Sequence, residues 1–149
     1  MDILGQASLL TATVINSLIV VLAVLFHYEC LMRLSTSLGH MRPIRQLRLL
    51  VAVLGILIAH TVEVWLFAGA YYLMHHADGW GQLTVSYSGS FMDTVYFSFV
   101  TFTTLGYGDI EPVGILRYLT GIQGLTGFVL ITWSASFLFV EMQRYWPSR

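Results

Sequence analysis

The chain has no lysine, one cysteine, three prolines and little charge of either sign. The lone Cys30 excludes an intrachain disulfide and cannot by itself build a zinc site or a redox pair. Its seven basic residues are all arginine, and eight acids bring the formal net charge to -1, so there is no basic footprint for nucleic acid. Only 10% of the 149 residues are charged while 56% are hydrophobic, which lies well outside the usage of soluble domains. No internal repeat, low-complexity segment, soluble ligand-binding module or arginine-repeat voltage sensor is present. Asp2 stands where a secretory signal would carry positive charge, so the first apolar run is expected to stay as a membrane span.

What is present is long apolar runs. Ile3 to Phe26 carries no ionisable residue and is long enough, at about 20 residues per bilayer crossing, to span as a helix. Asn16 and Ser17 are its strongly polar interruptions, suited to a helix contact. The cluster His27-Tyr28-Glu29-Cys30 reads as the interface, giving a first transmembrane helix over 3–30. A polar connection, 31–43, holds Arg33 and Arg42, with Gly39 as a breaker and Pro43 at a helix start. Arg45 and Arg48 follow. Short arginine-rich loops stay in the cytoplasm, which puts the N-terminus outside. A second span over 44–75 contains His60 and Glu63 and ends in aromatic residues. An extracellular loop over 76–90 follows.

The next apolar helix is too short to cross. Ser90 and Asp93 fit a capping box, and 91–103 would make only about 20 Å of helix, which suits a re-entrant element. It leads into Thr103-Thr104-Leu105-Gly106-Tyr107-Gly108-Asp109, and the chain then returns outward through Ile110 to Gly114. Irregular backbone at membrane depth is tolerated only inside protein or along a wet cavity. A third span covers 115–142, with no charge between Arg117 and Glu141, before a tail over 143–149 with Tyr145 and Trp146 as interface anchors and Pro147 as a stop. Six of the seven arginines fall on the predicted cytoplasmic side, and Asp2, Asp78, Asp93, Asp109 and Glu111 fall outside.

The run from Thr103 to Asp109 resembles the selectivity filter of potassium channels, in which valine usually stands where this chain has Leu105. The order helix, pore helix, filter, helix extends the resemblance over roughly residues 43–144. Tyr96-Phe97 stand where many members carry Trp-Trp, and Asp109 to Val113 repeats the family's Asp-x-x-Pro-Val. The chain is similar to small bacterial pore-only channels with an extra helix in front. The resemblance implies a fold that is all-α and membrane-integral, with three transmembrane helices, a re-entrant pore helix and a filter loop in each subunit of a homotetrameric pore. It implies no enzyme activity and no cofactor, only K+ as permeant ligand. Backbone carbonyls of Thr104, Leu105, Gly106 and Tyr107, with the Thr104 hydroxyl and Gly108, would coordinate the ion. Tyr96, Phe97, Thr103, Asp109 and Glu111 would support the filter and its outer mouth.

Elementary physics agrees. Carbonyls converging on an axis can replace a cation's water shell, and Gly106 and Gly108 adopt the needed backbone angles cheaply. One chain supplies one strand of such a ring, so four copies by cyclic symmetry are expected. The C-terminal end of the pore helix favours a cation in the cavity.

Val100 stands where some members carry glutamate. The family's hinge glycine falls on Phe128, with Gly127 beside it, and Gly121, Gly124 and Gly127 form a small-residue stripe. Gly124 and Gly127 are therefore candidates for a gating hinge or for tight packing. Ile131, Ala135 and Leu138 are candidate pore-lining positions.

His60 and Glu63 lie one helical turn apart near mid-membrane, where a charge costs about 2.5–3.5 kcal/mol on insertion scales. They read either as a mutual pair that stabilises contact with the first helix or as a proton-sensing pair. His60 is the one histidine expected near mid-membrane. His75 and His76 read as a solvated pair, Cys30 as an apolar filler, and the arginine loop as a topology determinant that could also attract anionic lipid. The expectation is a passive potassium channel of the plasma membrane with lipid and three further copies of itself as partners. A weakly selective cation channel, a non-conducting assembly partner and a histidine-based metal or redox membrane protein stand as alternatives.

Overall fold

A computed structural model describes residues 3–40 and 45–145. Its elements are α1 (Ile3–His40), α2 (Arg45–His75), β1 (Gln82–Val85), α3 (Phe91–Phe102), β2 (Ile110–Val113) and α4 (Leu116–Tyr145). Three helices are long and apolar enough to cross a membrane, over Leu9–His40, Gln46–His75 and Leu116–Arg144, while α3 is a shorter apolar helix. Pro43 and Arg42, like Asp2, Trp146, Pro147 and Arg149, lie outside the described residues.

The first helix is longer than its composition suggested. It continues past Cys30 to His40, 38 residues in all. Leu31 and Leu38 are buried, so an apolar seam runs on through this half. Thr36 and Ser37 return their hydroxyls to the carbonyls of Met32 and Arg33, and Glu29 pairs with Arg33 one turn on. Gly39 breaks nothing. At 1.5 Å per residue the helix is far longer than a hydrocarbon core of about 30 Å. Near its end Ser35 donates to Glu141 of α4 (3.0 Å), which also accepts from Arg144 (3.3 Å). Asn16 is fully buried, and its amide has no partner among the described residues.

The loops on either side of α3 depart from a purely helical fold. Strands β1 and β2 form an antiparallel ribbon in which Leu83 opposes Pro112 and Val85 opposes Ile110. The ribbon ties the segment before α3 to the segment that follows the loop after it. Leu83 and Ile110 turn inward and are buried with Phe67, Tyr71, Phe97 and Leu116 in the main core. Next to it Gly81 and Gly114 touch backbone to backbone. A Cβ on Gly81 would lie 2.1 Å from the Val113 carbonyl, so no larger residue fits.

Helix α3 starts where the sequence places it. Ser90 sits in extended backbone at the N-cap and accepts from the Asp93 amide (3.1 Å). The Asp93 carboxylate reaches back to Ser88 rather than to the cap, accepting from its amide at 2.7 Å and from its hydroxyl. Those two bonds hold the Asp93 carboxyl below the usual carboxylate range. The helix stops at Phe102, with Thr103 as its C-cap.

Candidate functional site: a loop hung from the end of the short helix

The loop after α3 is anchored to the helix it leaves. Thr103, Thr104 and Leu105 donate their amides to Phe99, Thr101 and Val100 (3.1, 3.0 and 2.9 Å), and Gly106 also donates to Val100 (3.4 Å). The last carbonyls of the helix are thereby satisfied by the loop itself. Position 100 is consequently important through its backbone, and the side chain there is free to be valine.

Beyond this anchor the backbone alternates in hand. Thr104, Gly106 and Gly108 have φ of 59°, 58° and 76°, whereas Leu105 and Tyr107 stay outside the left-handed region. Left-handed backbone is cheap for glycine and costly for a β-branched threonine, so Thr104 is held in strain by its surroundings. A period-two alternation of hand turns successive carbonyls toward one side of the strand. A Cβ on Gly106 or Gly108 would meet nothing within 4 Å. Their glycine identity therefore answers to backbone angle rather than to crowding.

The far end of the loop is pinned as well. The Tyr96 hydroxyl donates to the Asp109 carboxylate (2.7 Å), and Ser86 donates its amide to the Asp109 carbonyl (3.0 Å). The bond to Asp109 raises the Tyr96 hydroxyl above its ordinary range. Phe97, the other half of the aromatic pair, instead packs edge-on against Tyr71 with centroids 5.0 Å apart. Glu111 lies on the ribbon opposite Thr84.

Behind α3 runs a buried polar chain that the sequence did not disclose. Ser98 donates to the Val64 carbonyl (2.7 Å), and Gln123 donates to both the hydroxyl (2.6 Å) and the carbonyl (3.2 Å) of Ser98. Tyr71 donates to the Gln123 side-chain carbonyl (2.8 Å). All are buried. One serine, one glutamine and one tyrosine thus lock α2, α3 and α4 together, since a buried polar group without its partner costs about 1–3 kcal/mol. Gly127 completes the packing. A Cβ there would stand 2.1 Å from the Phe102 carbonyl, so α4 approaches the end of α3 as closely as backbone allows. Gly124 has only an ordinary contact to Thr101, at 3.7 Å.

A profile of a family described as ion channel matches residues 59–144, more than half of the chain and all of the anchored loop. The chain belongs to this ion-channel family. As a stretch of sequence, the channel is also similar to Protein LctB of Geobacillus stearothermophilus, 40% identical over 38 residues, which make up 26% of this chain and 28% of that protein. The matched stretch is thus under a third of that relative's length. No solved structure matches the channel. Its three long apolar helices and its family make it a multi-pass membrane protein.

A second cluster lies between the spans of the channel. His60 and Glu63 are adjacent, as their spacing requires, with Nδ1 2.8 Å from one carboxylate oxygen. The other oxygen is 2.8 Å from Nδ1 of His27, which comes from α1. The two imidazoles stack with centroids 5.2 Å apart, and Ser134 of α4 lies 3.3 and 3.1 Å from their Nε2 atoms. So His27 is not a surface residue. It is fully buried against Glu63, and a second histidine does face His60, from a different helix. The three side chains are of metal-binding type, with donor atoms within 4.8 Å of one another, but both Nδ1 atoms are spent on the carboxylate. The cue available in the sequence was a histidine, His27, continuing an apolar helical run.

The remaining histidines and candidates have simpler places. His75 accepts the Leu83 amide at Nδ1 (3.0 Å) and stacks edge-on to Tyr87, so it braces the ribbon, while His76 contacts the Tyr72 carbonyl. Cys30 is half-buried on α1. Ile131 and Ala135 are exposed in the single chain, and Leu138 is half-buried.

Proposed function

We propose that four copies of this chain form a potassium-selective channel. The observation that carries this reading is the alternation of hand at Thr104, Gly106 and Gly108 in a loop tied at both ends to the short helix. Such a strand offers a row of carbonyls, and four around an axis make a cage that replaces the water shell of a cation. Thr104, Leu105, Gly106 and Tyr107 carry the coordinating carbonyls, with the Thr104 hydroxyl at the inner end and Gly108 at the outer end. Leu105 and Tyr107 are 60% and 68% exposed in the single chain, apolar and aromatic side chains that packing among subunits would bury. Asp109 and Glu111 draw cations to the outer mouth. The C-terminal end of α3 faces the cavity with its partial negative charge. The pore sits in the plasma membrane with its N-terminus outside, by the distribution of arginines.

The deciding experiment is potassium flux from liposomes that contain only this chain, followed by reversal potentials in mixed potassium and sodium. Selective potassium flux is expected. Equal permeability to sodium leaves a weakly selective cation channel, and absence of flux from correctly assembled tetramers refutes conduction altogether.

A further inference from the structure

The cluster between the spans is a closed ring. Going round, Glu63 touches His27, His27 touches Ser134, Ser134 touches His60 and His60 returns to the other oxygen of Glu63, through four hydrogen bonds. Each bond needs one hydrogen. With Glu63 ionised and both histidines neutral, each imidazole donates its Nδ1 hydrogen to the carboxylate. The Ser134 hydroxyl then supplies the one remaining hydrogen to two Nε2 acceptors. The ring is short by one hydrogen, and it carries a net negative charge inside the apolar interior.

One added proton cures both defects. Placed on either imidazole, it lets that ring donate to Ser134, whose own hydrogen goes to the other imidazole. Placed on Glu63, it gives the same closed ring with two neutral histidines. In each arrangement all four bonds are made and the net charge is zero, which burial favours. We propose that this ring is a proton-binding site that holds one exchangeable proton per chain and, while it holds it, latches α4 to α1 and α2. The balance is simple. A proton from water joins the anionic ring, and its release returns one negative charge and opens one bond at Ser134.

The surroundings isolate the proton. From α1 the ring is faced by His27, with Cys30 one turn further along the helix. From α2 come His60 and Glu63. From α3 comes the uncharged Phe102, with its ring 5.5 Å from His60. From α4 come Ser134 and Trp133, the latter 5.3 Å from His27. His27 and Glu63 have no exposed side-chain surface, whereas His60 keeps 15%, which makes it the entry point. Ser134 lies on the helix that follows the filter, so a loosened bond there acts on the wall of the pore.

The ring also predicts which substitution abolishes the effect. In Glu63→Gln the amide can donate to one imidazole and accept from the other, and the count of hydrogens closes with both histidines neutral. The fold is kept, but the need for the extra proton is gone.

The test uses the full chain in lipid nanodiscs with nitrogen-15-labelled histidine, titrated from about pH 5 to about pH 10. His27 and His60 are expected to shift together in one transition that takes up one proton per chain, apart from His40, His75 and His76. Glu63→Gln is expected to take up none over the same range. Ser134→Ala is expected to keep the proton but lose the pH-dependent change in hydrogen-exchange protection of α4. Independent titration of the two histidines, wild-type titration in Glu63→Gln, protection of α4 that ignores pH in the wild type, or a stoichiometric metal ion at the ring would each overturn the proposal. None of these readouts depends on which ion the pore conducts.

Discussion

Gly127→Ala isolates why α4 carries a glycine at that point. The new Cβ would stand 2.1 Å from the Phe102 carbonyl oxygen, 2.9 Å from its carbon and 3.0 Å from its Cα. The obstacle is backbone at the end of α3, so no rotamer change relieves it, and the two helices must separate by roughly 1 Å. Overpacking of this kind costs about 1–3 kcal/mol, against a gain of about 1 kcal/mol for replacing glycine in a helix. A net loss of up to about 2 kcal/mol is expected. Because the displaced carbonyl lies beside those that anchor Thr103 to Gly106, ion flux should fall as well. Gly124→Ala is the internal control. Its Cβ makes only a 3.7 Å contact to Thr101, so stability should hold or rise. Thermal unfolding of the detergent-solubilised protein, with flux from liposomes, reads both. If Gly127→Ala is as stable as Gly124→Ala, the packing argument fails. Unchanged stability with altered opening would instead support a bending hinge.

Ser98→Ala strips Gln123 and the Val64 carbonyl of their shared partner and should destabilise the protein by about 1–3 kcal/mol. The same measurement on Ser98→Ala/Gln123→Leu should show less than the sum of the two single losses. Ser90→Ala removes the N-cap of α3 and should cost about 1 kcal/mol, with no loss if the cap bond is idle. Thr104→Gly relieves left-handed strain while deleting a hydroxyl, so the loop should become more stable and the flux smaller; undiminished flux would show that the hydroxyl is not an ion ligand. Asp93 has a carboxyl held below its unfolded value by Ser88. Its contribution is therefore present above about pH 4 and lost as pH falls through the lower folded value, and Ser88→Ala, which removes the hydroxyl bond and keeps the amide one, should reduce that acid limb of the stability profile.

Much of this molecule was legible as a string of residues because the bilayer is a severe solvent. A helix of the length of Gln46–His75 with two ionisable groups in its middle has one home, and α3 is too short to share it. The cap at Ser90 and the spacing of Gly106 and Gly108 are local chemistry, readable from neighbours in sequence. The closeness of His60 and Glu63 followed from one helical turn.

What needed the tertiary structure were contacts between elements whose relative rotation no local rule determines. His27 and Glu63 are 36 positions apart, and an almost uniformly apolar α1 gives no sign of which face meets α2. A helix in lipid has little amphipathic pattern from which its orientation could be inferred. For the same reason the partners of Ser134, Ser98 and Gln123 emerged, and Gly127 ceased to read as either hinge or spacer, only once α4 was set against its neighbours. The ribbon joining Gln82–Val85 to Ile110–Val113 likewise depends on α3 and the loop after it bringing distant segments side by side. Sequence alone determined which helices are long and apolar enough to cross a membrane and where the glycine-bearing loop follows the short one. Packing alone decided which polar groups meet inside, because burial makes each depend on a partner that the chain supplies from afar.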